Sequence, residues 1–360
     1  GITLGSSAGV LLVFLVLGIL VVFVITRPLR EIGKHMNAVS RMSFDNIPLT
    51  NSFIHEVKAI QWSFFSMVFA LKSFRKYVPE AVIRKTMATR SIAQMDLLLK
   101  ECTLFFLDIV DFTTISEKLR PDELMVLMSE AMEKLSDIVA EESGFIDKYI
   151  GDAIMALWGV PEEVEDHQYR ACIAALRCVQ VLKDNADNWT NRGFPALRCR
   201  VGIHFGEALV GNFGSSNRLN YTALGDPVNL AARLEPLCKH YGTDTLVSSD
   251  MYELIKGRII CRAVDVVMVK GRTQETILYE LLSKDEEATV NHTKIEQASN
   301  NLVLAMRSGE VRNIRRCINN AQKVPGYSED KALSLLLERF AHHNDDDIID
   351  AANRFREKHF

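Results

Sequence analysis

At 360 residues, with 48% hydrophobic and 24% charged side chains, the chain has room for one large globular domain and accessory modules. A net charge of −4 and the lack of a dense Lys/Arg patch exclude a nucleic-acid binder. The seven cysteines are odd in number and form no C-x-x-C pair, so they read as free thiols of a reducing compartment.

Residues 1–26 carry no charge, and AGVLLVFLVLGILVVFVI (Ala8 to Ile25) is apolar throughout. Eighteen residues at 1.5 Å each make about 27 Å, enough for a bilayer core. Basic residues follow this run at Arg27, Arg30 and Lys34, the reverse of a secretory signal. The pattern predicts a stub at 1–7, a lipid-contacting transmembrane helix at 8–26 and a cytoplasmic remainder. The sequence lacks an initiator Met and is expected to be a fragment whose extracytoplasmic part lies elsewhere. On this topology the sequons at Asn188, Asn220 and Asn291 stay unglycosylated.

After Pro28, apolar residues recur with heptad spacing at Leu29, Ile32, Met36 and Val39. They resume at Val57, Ile60, Phe64, Met67, Leu71 and Phe74. Two heptad helices joined by a connector after a membrane span resemble a HAMP module, here over 27–75, with Pro28 and Glu56 at its usual landmarks. The alternative is a pair of amphipathic helices packed on a globular domain. A parallel coiled coil implies a homodimer. The linker at 76–94 includes KYVP (Lys76 to Pro79), similar to the transducer segment that precedes many nucleotide cyclase domains.

From Thr103 the pattern becomes mixed. TLFFLD predicts a strand ending at Asp108, and a helix follows from Pro121 to about Glu141. GFIDKYIGDAIMALWG (144–159) reads as a hairpin, followed by a helix over about 166–187 and the strand LRCRVGIHFG. EALVGNFG reads as a second hairpin arm, and YTALGDPVNLAARLE leads into a further helix. The order β-α-β-β-α-β predicts an α+β, ferredoxin-like (split βαβ) core. Asp108 and Asp152 sit at strand ends. Oxygen ligands there suit a Mg²⁺ or Mn²⁺ pair clamping a triphosphate, although a lone strand-end Asp is more often only solvated.

LDIVDFT, DKYIGDAIMALWG, VGIHFGEALVGNFG and YTALGDPVNLAARLE, in this order, resemble the catalytic domain of class III adenylate cyclases over about 95–285. The resemblance implies conversion of ATP to cyclic AMP and pyrophosphate, with two metal ions per site. It implies that Asp108 and Asp152, with the backbone of Ile109, bind the metals. Lys148 and Thr222 would contact adenine, Asn229 would orient the ribose, Arg233 would steady the transition state, and Lys270 would hold the terminal phosphates. In this family each site is shared across a homodimer, so Lys148 and Asp152 would serve opposite clefts.

Two positions depart from the commonest pattern: Thr222 stands where Asp is frequent, and Glu207 stands near a phosphate-holding arginine of some members. A subgroup with Thr at this place includes members that respond to bicarbonate. Guanylate specificity would call for an acidic residue at 148. A catalytically silent, dimerising or nucleotide-binding module is the competing reading, and the intact set Asp108, Asp152, Lys148, Asn229 and Arg233 argues against it. A diguanylate cyclase would carry GG[DE]EF at the hairpin, and a histidine kinase would need a phosphoacceptor helix; neither pattern occurs. Residues 286–360 read as a helical tail, with Asp345, Asp346 and Asp347 as a helix start.

Overall fold

The computed structural model describes residues 2–39, 54–74, 77–78, 82–84, 86, 94–268, 275–308, 310–328 and 330–338. The chain divides into two compact units, 1–93 and 94–360.

In the first unit, helix α1 (Ile2–Val21) continues through one π-helical turn (Val22–Thr26) into α2 (Arg27–Val39). Pro28 therefore does not break the helix. A proline cannot donate to the carbonyl four residues back and crowds it, and the wider turn just upstream relieves that conflict. The stretch Leu11–Val39 is long and apolar enough to cross a membrane.

Helix α3 (His55–Phe74) packs on α2 through Ile32, Val39, Phe64 and Val68, with Leu71 and Ile83 beside them. The heptad seam is thus only half occupied. Ile32, Val39, Val57 and Phe64 are buried, whereas Leu29, Met36, Ile60, Met67 and Phe74 are exposed. Two helices of one chain bury a single narrow strip, and the rest of a heptad face needs further helices to cover it. The connector between α2 and α3 lies outside the described residues, as do Asp345, Asp346 and Asp347.

The second unit is built on β1 (Asp96–Ile109), α4 (Phe112–Lys118), α5 (Pro121–Glu141), β2 (Phe145–Ile150), β3 (Ala153–Trp158), α6 (His167–Asn191) and β4 (Cys199–Ser215). Beyond these lie β5 (Arg218–Leu224), α7 (Asp226–Tyr241), β6 (Thr245–Ser248), α8 (Ser249–Ile255), β7 (Ile259–Met268) and β8 (Glu275–Lys284). The sheet order is β2-β3-β1-β4-β6-β8-β7, with β5 added alongside β4. Its first four strands, antiparallel throughout, make the split βαβ arrangement. Helices α5 and α6 supply Leu127, Leu135, Cys178 and Leu182 to a core that includes Phe105, Leu107, Ile154 and Trp158. Each such large side chain contributes about 1.5–3 kcal/mol by leaving water.

One expected boundary is corrected. LRCRVGIHFG and EALVGNFG are not two arms but one 17-residue strand, β4, and the chain turns only after Ser215. β4 pairs with β1 from Asp96↔Asn212 to Ile109↔Cys199, forming a long two-stranded ribbon. β2 and β5 lie on opposite sides of this ribbon in pairing order, separated by three strands. Even so, the rings of Phe145 and Tyr221 meet edge to face at 5.7 Å. The ribbon therefore coils strongly out of the sheet plane and carries β5 back over β2.

The C-terminal helices α9 (Val290–Ser308), α10 (Val311–Ala321) and α11 (Lys331–Glu338) pack on the β7–β8 edge through Ala263, Val266, Leu302, Met306, Ile314 and Leu333. Arg262, buried, bridges Glu280 on β8 and Asp330 at the start of α11. All seven cysteines are free and buried, and burial pushes the Cys102 thiol up to about 12.

Candidate active site

Two clusters of polar side chains stand out. The first lies where β1 ends beside the β2–β3 turn. Ile150 pairs with Ala153, so Gly151 and Asp152 form a two-residue hairpin loop. Gly151 has φ +66°, the left-handed value that the first position of a type II′ turn requires and that a side chain would oppose. This turn places Asp152 within hydrogen-bonding reach of Asp108. Burial and the neighbouring Asp108 carboxyl push Asp152 up to about 6. Its contribution to stability is fully present below the ordinary value of 3.8 and is lost as pH rises through about 6.

Two further residues, which no sequence motif singles out, complete this cluster. Arg200 stands directly across the ribbon from Asp108, its Nη2 at 3.4 Å from Asp108 Oδ2 and its Nε at 2.9 Å from Glu235 Oε1. Burial, with Asp108 nearby, raises the Glu235 carboxyl above its usual range. Three carboxylates thus face one guanidinium, an excess of negative charge that suits a divalent cation. Among the described residues no group of three or more His, Cys, Asp or Glu side chains could enclose a metal. Two carboxylates such as Asp108 and Asp152 could hold a metal only as an open donor set, one that leaves room for substrate oxygens.

The second cluster joins β2 to β5. The β2–β3 register shifts between Ile146 and Lys148, so Asp147 is the extra residue of a β-bulge. In a regular strand, neighbours 147 and 148 would point to opposite faces; the bulge re-aims them so that both reach Thr222. Lys148 Nζ donates to Thr222 Oγ1 at 3.1 Å, and the Thr222 hydroxyl donates to Asp147 Oδ2. Asp147 was not anticipated. Its signal is a carboxylate next to Lys148 in an apolar strand.

Asn229 and Arg233 lie on α7, Asn229 exposed and Arg233 partly buried. At 100° per residue they are about 40° apart, while Glu235 is about 200° from Arg233. The helix therefore sends Glu235 toward Arg200 and turns Asn229 and Arg233 elsewhere. It approaches β4 closely at Gly202, where an added Cβ would come within 2.5 Å of the Glu235 backbone nitrogen. Glu207 is exposed on β4, and Lys270 lies outside the described residues.

The family described as the adenylate and guanylate cyclase catalytic domain matches residues 97–283. Adenylate cyclase 1 of Rhizobium meliloti is 32% identical over 279 residues, covering 78% of this chain and 42% of that protein. An adenylate cyclase of Anabaena cylindrica is 30% identical over 248 residues, covering 66% of this chain and 48% of its own length. The chain thus spans less than half of either relative. The guanylyl cyclase Cya2 structure aligns with TM-score 0.50 at 28% identity, covering 54% of this chain and 98% of that one. A bacterial light-regulated adenylyl cyclase shares the fold at TM-score 0.57 and 22% identity, over 70% and 72% of the two chains. From β1 to β8 the second unit is a nucleotide cyclase catalytic domain, and the chain belongs to the adenylate and guanylate cyclase family.

Proposed function

We propose that the chain is an adenylate cyclase, converting ATP to 3′,5′-cyclic AMP and pyrophosphate. The observation that carries the choice of nucleotide is the Lys148–Thr222 pair. An ammonium donates to adenine N1, and a hydroxyl oxygen accepts from the 6-amino group. Guanine presents the opposite pattern, an N1–H donor and an O6 acceptor. Guanylyl cyclases share this fold, so the base contacts rather than the architecture support adenine.

Asp108, Asp152 and the Ile109 carbonyl would hold Mg²⁺ or Mn²⁺, two ions per site. The metal supplies neutralisation of phosphate charge and a lowered pKa for the ribose 3′-hydroxyl when bound. Arg200 limits the repulsion between Asp108 and Glu235, keeping the carboxylates available. Asn229 orients the ribose for attack on the α-phosphorus. Arg233 stabilises charge as it develops on the phosphoryl oxygens, a role for a fork that never loses its proton. Lys270 anchors the terminal phosphates.

The functional unit is a homodimer with sites shared between copies. Exposed apolar side chains support this, namely Tyr149 and Ile150 beside the hairpin tip, and Leu98, Leu99, Leu209 and Phe213 along the ribbon. The first unit acts as a single membrane span followed by a HAMP module over 27–75. Its exposed seam residues Leu29, Met36, Ile60, Met67 and Phe74 meet a second copy, and the segment at 76–94 transmits the signal to the cytoplasmic cyclase domain.

Incubating the full chain, in membranes or detergent, with ATP or GTP and Mg²⁺ or Mn²⁺ tests the assignment. Cyclic AMP from ATP is the expected product. Cyclic GMP alone would overturn the base reading, and no product from a dimeric preparation would favour a silent module.

A pH dependence follows from Asp152, pushed up to about 6. Protons compete with metal there, so the metal concentration giving half-maximal activity rises by about tenfold per pH unit below about pH 6. Metal titrations at pH 5, 6 and 7 would show it; a midpoint independent of pH would remove Asp152 from the metal site.

A further inference from the structure

Thr222 is held in a way that fixes the direction of its hydroxyl. The O–H donates to Asp147 Oδ2, and the oxygen accepts from Lys148 Nζ at 3.1 Å. A hydroxyl has one proton and two lone pairs. With the proton committed to Asp147 and one lone pair to Lys148, a third partner meets only an acceptor. The Asp147 side chain is 1% exposed, and Lys148 Nζ lies 3.4 Å from its Oδ2. Its Oδ1 is buried with no hydrogen-bond partner among the described residues, so Thr222 and Lys148 are what secure the carboxylate. Burial raises the Asp147 pKa, opposed by the Thr222 hydroxyl and the Lys148 ammonium.

We propose that Asp147 is a specificity-determining positioning residue, which locks Thr222 as an acceptor and so makes the pocket select a purine with a donor at C6. The proposal rests on the cyclase reading and on its placement of the base beside Lys148 and Thr222. A threonine by itself does not discriminate, because its hydroxyl rotates to donate to a guanine O6 as readily as it accepts from an adenine amine. The buried carboxylate removes that freedom. The bulge is what makes the lock available, since in regular alternation only one of 147 and 148 would face β5.

The test uses two size-matched competitors against ATP on the full chain: N6-methyl-ATP and 6-methoxypurine riboside 5′-triphosphate. Both keep the N1 acceptor that faces Lys148, and they differ in presenting a donor or an acceptor at position 6. On the wild type the methoxy compound should compete roughly tenfold more weakly, the effect of setting an acceptor against a fixed acceptor. Equal competition overturns the lock without any variant.

Asp147→Asn then tests the residue itself, because an amide can donate to Thr222 and release its proton. The difference between competitors should shrink to about threefold or less, and the ATP-to-GTP ratio of kcat/KM should fall roughly tenfold, with kcat for ATP changing less. In a Thr222→Val background the same substitution should leave that ratio unmoved. A uniform loss of kcat on both nucleotides, with the competitor difference intact, would reduce Asp147 to scaffolding and overturn the proposal. A wild type that forms no cyclic nucleotide at all fails the cyclase reading, whereas product formation with equal competition fails only the lock.

Discussion

Asp108→Asn should lower cyclic AMP formation by roughly a thousandfold or more while leaving the protein folded. The amide keeps the shape of the carboxylate but brings no charge to a divalent cation. The same change relieves the contact with Asp108 that, added to burial, pushes Asp152 up to about 6. Arg200 retains Glu235 at 2.9 Å, so no buried guanidinium is stranded. The thermal midpoint should therefore hold or rise as activity disappears. Cyclase assays and a melting curve on one preparation separate the two effects. Full activity would remove Asp108 from the chemistry, and a large drop in the midpoint would recast it as a structural residue.

The second large effect comes from mixing. Helix α7 directs Glu235 toward the carboxylates of its own copy, and Asn229 and Arg233 leave the helix on another side. If the metal carboxylates and Arg233 of one site come from different copies, Asp108→Asn and Arg233→Ala damage opposite halves. Each variant alone then has two broken sites per dimer. Co-expressed in equal amounts, half of the dimers are mixed, and each mixed dimer keeps one intact site, restoring roughly a quarter of wild-type activity. Differently tagged copies, purified in tandem, isolate the mixed dimer. Activity that stays at the level of the single variants would place all the groups of a site in one copy.

The sequence carried much of this arrangement. Asp108 and Asp152 were visible because a charge closing an apolar strand is conspicuous, and Lys148, Thr222, Asn229 and Arg233 stood in motifs of fixed spacing. Arg200 and Glu235 were not, because their relation to Asp108 depends on β1–β4 register and on the face that α7 turns to the sheet. Asp147 was hidden by the bulge, which breaks the period of two on which strand reading relies. The continuity of β4 is hidden because Gly206 and Gly211 look like turn residues, yet both stay paired to β1, Gly211 at a φ of +155° and packed against the Asp96 carbonyl where no side chain would fit. The docking of the tail rests on Arg262 and Asp330, 68 residues apart, a separation no local pattern reports.

The coiled ribbon also has a mechanical meaning. The chain enters the catalytic unit at Asp96, which pairs with Asn212, next to the Gly211 that pairs with Thr222. Asp108 is at the opposite end of the same strand. A tug or twist arriving along the backbone thus reaches the Lys148–Thr222 pair before it reaches the carboxylates. Because Thr222 meets Lys148 only by virtue of the coil, a small unwinding of the ribbon would part them while the Asp108 end kept its shape. With the roles proposed above, such an input would be felt first as a change in grip on the nucleotide and only later as a change in turnover.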